Sequence, residues 1–297
     1  MTSIQSEKDR LSTGQVLPVV LSLLAAIFAF QLNASMLSPA LATMERELQA
    51  TTAEIGLTQT AFFTAAALFS LFLPRWGDLI GRRKVMMGML AITAIGCVIS
   101  ALAPSVLVLF VGRVIQGVAG PIVPMSLIML RVEVPNEKQY ALLMAVLASI
   151  NGGIAGVDAV AGGWLAANFG FRSIFWVMSA VCLLAVASVA FFIRESKAAE
   201  TPPMDWKGVF PLVVALGATL IALNEAGKLG AANWVLVAIL LAVGAVGFVI
   251  FWNVEKKVPH PLVSTTYMKQ RRTWALLLTT TLPMTGVFAV MNGLVPN

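Results

Sequence analysis

Apolar runs of bilayer-crossing length alternate along the chain with short polar segments. At 1.5 Å per residue a helix needs about 20 apolar residues to cross the hydrocarbon. On that measure the pattern predicts nine membrane helices, at about 16–37, 54–73, 85–103, 106–130, 140–167, 173–193, 208–225, 234–252 and 274–294. The first extends to Met44 if it tilts, and its outer half turns polar at Gln31, Asn33, Ser35 and Ser38. The expected fold class is therefore all-α integral membrane. The most polar joint is Pro74–Met87, which carries Arg75, Asp78, Arg82, Arg83 and Lys84 between the second and third runs. It reads as a tight basic turn, with Gly77 and Gly81 allowing a sharp reversal and Asp78 ordering the cations around it.

Composition strengthens this reading. Hydrophobic residues make up 59% of the chain and charged residues 11%, where a soluble domain carries about 25% charged. Mean hydropathy is +0.88. The net charge of +6 does not point to nucleic acid, because the cations follow the topology. With the N-terminus inside, only Arg46, Arg172 and Lys228 of the 20 Lys and Arg fall on the outer side, and only Arg113 falls inside a span. Lipid is thus the expected partner and the cytoplasmic membrane the expected location, with the N-terminus and the basic turn cytoplasmic. Met1 to Gln15 reads as a polar cytoplasmic tail rather than a cleavable signal peptide. Cys97 and Cys182 lie in apolar runs and read as small core residues, and His260 is the sole histidine. Neither a metal site nor a His-based catalytic pair is expected, and the chain is not expected to be an enzyme or to carry a cofactor.

Of 14 Asp and Glu, Asp158 alone lies well inside a span. Arg113 sits about 10 Å below the outer end of span four and Asp158 about 14 Å below that of span five. The two are thus at similar depth on consecutive antiparallel helices, and they are expected to pair. The pair reads either as a packing salt bridge or as a proton-coupling site in which Asp158 titrates as its distance from Arg113 changes. Span five also carries Gly152, Gly153, Gly156, Gly162 and Gly163, and the spacing of Gly153, Gly156, Gly162 and Gly163 predicts a close helix contact.

Five stretches resemble signatures of the major facilitator superfamily of secondary transporters or of one of its branches. Gly77-Asp78-Leu-Ile-Gly81-Arg82-Arg83-Lys84 is similar to its G-D-x-x-G-R-R-K loop, which implies a cytoplasmic gate. Arg113-Val-Ile-Gln116-Gly117-Val-Ala119 is similar to the span-four signature R-x-x-Q-G-x-G, which implies proton coupling for Arg113. Asp205-Trp206-Lys207-Gly208, Asn233-Trp234 and Pro261-Leu262 resemble the fourteen-span drug:proton antiporter branch. The chain departs from that branch in two places. Asp158-Ala-Val-Ala-Gly162-Gly163 stands where G-P-x-x-G-G is usual, and Asn33 stands where span one usually carries an acid.

The resemblance implies a tail over 1–15, a six-helix bundle over 16–193, a connector over 194–207 and two linker spans over 208–252. Residues 253–297 would then be a basic loop and the first span of a second bundle, most of which would lie beyond Asn297. It implies secondary active transport, proton-gradient-driven efflux of small amphipathic or drug-like compounds. The alternatives are a facilitator or symporter of a small polar solute, and a fragment that does not transport. Gln31, Asn33, Gln59, Met125 and Asn151 are the expected cavity residues, offering sparse hydrogen bonds in an apolar wall.

Overall fold

The computed structural model describes residues 13–197, 204–227, 232–258, 270–279 and 282. The tail before Thr13, Lys228, His260 and, apart from residue 282, the ninth span beyond residue 279 lie outside them. Among the described residues seven helices are long and apolar enough to cross a membrane, or eight with one bent pair taken as a span. The all-α class of the sequence reading is the architecture found.

The first helix, α1 (Thr13–Ser35), passes through a short 3-10 turn at Ser38–Ala40 into α2 (Leu41–Leu48). After a reversal, α3 (Thr52–Ser70) starts at a full capping box: Glu54 N–H donates to Thr51 Oγ1 and Thr51 N–H to Glu54 Oε2. It meets α4 (Leu73–Ile80) at a bend of 44°. Then come α5 (Arg82–Ala101), α6 (Val106–Gln116), a 3-10 turn at Gly117–Ala119, and α7 (Ile122–Glu133). The bundle ends with α8 (Glu137–Phe169), capped by the Asn136 side chain, and α9 (Phe171–Phe192).

These helices are apolar on their outer faces as well as inside. On α9, Phe171, Phe175 and Cys182 are buried while Leu183, Leu184 and Phe191 are exposed. A surface of that kind suits hydrocarbon or another apolar surface rather than water. Two apolar clusters fill the interior, one running through Leu23, Met86, Ile122 and Val189, the other through Leu37, Ile55, Leu109 and Phe175. On α6 the buried Arg113 lies between Leu109 of the second cluster and Val118 of the first.

Span four is broken where Gly117, Gly120 and Pro121 occur, and the break lets two backbones touch. A Cβ built on Gly120 would lie 2.7 Å from Ala66 Cα, and one on Gly117 2.9 Å from the Ala66 nitrogen. Only glycine fits at these two positions.

The glycine face of span five is shorter than its spacing suggests. A Cβ on Gly162 would collide with the Met36 carbonyl, and one on Gly163 would rest 3.4 Å from Pro39. At Gly153 and Gly156 it would meet nothing within 4 Å among the described residues. The expected contact at those two glycines is therefore corrected: α8 approaches α1 closely only near its outer end. Gly162→Leu is expected to destabilise the bundle by about 1–3 kcal/mol, the usual range for overpacking, and Gly156→Leu by less than about 0.5 kcal/mol. Thermal unfolding of the two variants in detergent checks this contrast.

The chain divides into two compact units. Among the described residues, those of the first fall within 1–204 and 220–237 and those of the second within 205–219 and 238–297. The helices α10 (Trp206–Ala226) and α11 (Trp234–Glu255) follow α9 in sequence. Within the second unit α11 packs through its glycines: a Cβ on Gly247 would lie 2.9 Å from Ala215 Cβ, and one on Gly244 2.6 Å from Thr219 Oγ1.

Candidate functional site

The basic joint is mostly helix rather than loop. Pro74 opens α4 in its first turn, where a missing N–H costs nothing, and the chain turns from α4 into α5 at Gly81, with φ +125°. Gly77 is inside α4, and a Cβ there would touch Met125 Cε at 3.0 Å. Arg82 Nε donates to Asp78 Oδ1 at 2.7 Å, one helical turn apart in sequence. The first turn of α5 is closed by the segment after α9: Arg82 N–H donates to the Ser196 carbonyl (3.0 Å) and Arg83 N–H to Glu195 Oε1 (3.1 Å). Arg83 Nη2 also donates to the Ala190 carbonyl. Glu195 thus places its carboxylate on a free amide at a helix start. The sequence reading missed it, although an acid directly after Arg194 at the end of span six was the available signal. Lys84 is exposed.

Arg113 and Asp158 do not pair, which corrects the expectation from their depth. Arg113 is fully buried and donates to three oxygens: Nη1 to Gln116 Oε1 (2.7 Å), and Nη2 to the Asn33 carbonyl (3.0 Å) and Gln59 Oε1 (2.6 Å). Its Cζ lies 4.2 Å from the centroid of the Phe62 ring. Gln116 Nε2 continues to Ser100 Oγ (2.8 Å) and Gln59 Nε2 to the Ala34 carbonyl (2.9 Å). The guanidinium and the Gln116 amide it holds therefore tie α1, α3, α5 and α6 together. Oriented amide and carbonyl dipoles solvate it in place of a carboxylate.

Asp158 faces α1 instead. Its Oδ2 lies 2.5 Å from Ser35 Oγ, while Oδ1 is buried with no hydrogen-bond partner among the described residues. Successive offsets of seven and four residues put Asn151, Asp158 and Gly162 on one face of α8. Asp158 also lines an apolar cavity of about 570 Å³ with Phe28, Met36, Val157, Leu165 and Val181. Ser35 was not foreseen as a site residue. The clue was its spacing of four from Gln31, which puts both on one side of α1.

The five expected cavity residues separate into two groups. Asn33 and Met125 are buried in the bundle. Asn33 Nδ2 donates to the Ala29 carbonyl (2.8 Å) and its Oδ1 accepts from Cys97 Sγ (3.5 Å), so its amide serves packing. Gln59 has both ends of its amide in the Arg113 network. These three are corrected to structural roles in this conformation. Gln31 and Asn151 remain half-buried, and Asn151 Oδ1 has no partner among the described residues.

The family model of the Major Facilitator Superfamily matches residues 23–296. The chain belongs to the Major Facilitator Superfamily. A uridine/deoxyuridine transporter of Lactococcus lactis subsp. cremoris is 58% identical over 294 residues, 98% of this chain and 61% of that protein. A multidrug resistance protein B homologue of Mycobacterium tuberculosis is 26% identical over 96% of this chain and 53% of its own length. This superfamily chain thus spans less than two thirds of these relatives. Among solved structures, the human organic anion transporter MFSD10 (TETRAN) superposes with a TM-score of 0.52 at 16% identity, over 71% of this chain and 60% of that one. That likeness speaks for the fold alone.

Proposed function

We propose that this protein is a secondary transporter of a small polar solute of the nucleoside class, driven by a proton gradient across the cytoplasmic membrane. The observation that carries the substrate class is the 58% identity to a uridine/deoxyuridine transporter along 98% of this chain. Relatives named for multidrug resistance or multidrug transport share 26%, so a nucleoside replaces the drug-like compound implied by the fourteen-span resemblance. A nucleoside offers sugar hydroxyls and base amide groups. Half-buried amides such as Gln31 and Asn151 are suited to exchange hydrogen bonds with them.

The proposed energy source rests on Asp158, the one acid well inside a span. In this reading Arg113 is a fixed charge that holds four helices in register. The basic α4–α5 joint and Glu195 form the cytoplasmic gate, with the N-terminus on the same side.

Radiolabelled uridine uptake by cells expressing the full-length protein tests this. Saturable uptake, competed by deoxyuridine and not by lipophilic cations, is the expected result. A cysteine replacing Lys84 in the same cells should resist impermeant reagents from outside. Extrusion of lipophilic cations without uridine uptake would overturn the substrate class, and external labelling would overturn the orientation.

A further inference from the structure

The Ser35 hydroxyl has more oxygen neighbours than it has hydrogens. It lies 2.9 Å from the Gln31 carbonyl and 2.5 Å from Asp158 Oδ2, and Gln31 Nε2 donates to it across 3.1 Å. A serine hydroxyl carries one hydrogen, so an ionised Asp158 would have to share it with the Gln31 carbonyl in a three-centre bond. A protonated Asp158 relieves that sharing. The Ser35 hydrogen then serves the Gln31 carbonyl in full, and the carboxyl hydrogen fills the shorter contact.

The surroundings agree with a neutral acid. Asp158 is 3% exposed, and its Oδ1 has no hydrogen-bond partner among the described residues. A carbonyl oxygen tolerates that, whereas a carboxylate oxygen does so at much greater cost. The residues of α1, α8 and α9 that line the cavity around it include no other titratable or charged group. The other ionisable side chain inside a span of the bundle, Arg113 on α6, is committed to Asn33, Gln59 and Gln116.

We propose that Gln31, Ser35 and Asp158 form a proton-binding site bridging α1 and α8, and that this conformation is its proton-loaded state. Release breaks the Asp158 Oδ2–H bond and passes the proton to water admitted when α1 and α8 part. The Ser35 hydrogen then turns from the Gln31 carbonyl to the carboxylate. The site works without Arg113, because the ligand of the proton is a hydroxyl and not a counter-ion. Gln31 thereby belongs both to the proton site and to the candidate solute-facing residues, which gives a physical link between solute and proton.

This inference deepens the proton-coupling reading and depends on it for its use in transport, but protonation can be read without transport. Infrared difference spectra of the purified full-length protein in nanodiscs, wild type minus Asp158→Asn at pH 7, should show the carbonyl band of a protonated carboxyl. In Ser35→Ala the band should persist at a shifted frequency, because the acid loses its hydrogen-bond acceptor. If Asp158→Asn does not fold, the Ser35→Ala shift against wild type carries the test. Carboxylate bands for Asp158 at pH 7 would overturn the proposal, as would an unshifted carboxyl band in Ser35→Ala. A protonated carboxyl that shifts in Ser35→Ala, in a protein whose uptake ignores the pH gradient, would uphold the site and overturn the coupling.

Discussion

Arg113→Leu is expected to cost the bundle about 3–5 kcal/mol, the range for removing one partner from a buried charged network. The reason lies in what stays behind. The Asn33 carbonyl, Gln59 Oε1 and Gln116 Oε1 would lose a charged donor, and Phe62 would lose the cation over its ring. Hydrogen bonds to charged groups contribute about 1.5–3 kcal/mol each, so the loss exceeds what leucine recovers by apolar burial. Arg113→Lys should recover part of it, because an ammonium keeps the charge but lacks the planar fork that reaches three oxygens on different elements. Unfolding free energies in detergent check both variants. A double-mutant cycle of Arg113→Gln with Asp158→Asn should be additive within about 0.5 kcal/mol, since the two side chains share no contact. Strong coupling would mean that they pair after all.

The spans were legible because a bilayer imposes length on an apolar run, and each bundle helix lies within a few residues of its expected place. The break in span four falls at Gly117, Gly120 and Pro121, residue types that permit a bend and a close backbone approach. Partners across helices were not legible. Counting residues from a helix end gives depth in the membrane, whereas direction rotates by about 100° per residue and is fixed only by packing. Arg113 and Asp158 share a depth and face different neighbours. The same limit applies to span five: small residues at intervals of three and four mark one face, but the pattern does not say which of them meets another backbone. Gly162 meets Met36, while Gly156 meets nothing within 4 Å among the described residues. The basic joint was misjudged as a loop because charges were read as turn-formers. Arg75 and Asp78 instead lie on α4, and one glycine with positive φ makes the turn from α4 into α5.

Asp158→Asn carries the second large effect, and it concerns transport rather than stability. Asparagine preserves the shape of the side chain and a donor for Ser35, so the α1–α8 contact should survive with little loss of stability. It cannot release a proton, so the link between solute movement and the pH gradient should vanish. The decisive measurement is uridine transport by the full-length protein in proteoliposomes, wild type against Asp158→Asn, in gradient-driven accumulation and in solute exchange without a gradient. The variant is expected to lose accumulation and keep exchange. Gradient-driven accumulation at the wild-type level in Asp158→Asn would contradict this expectation.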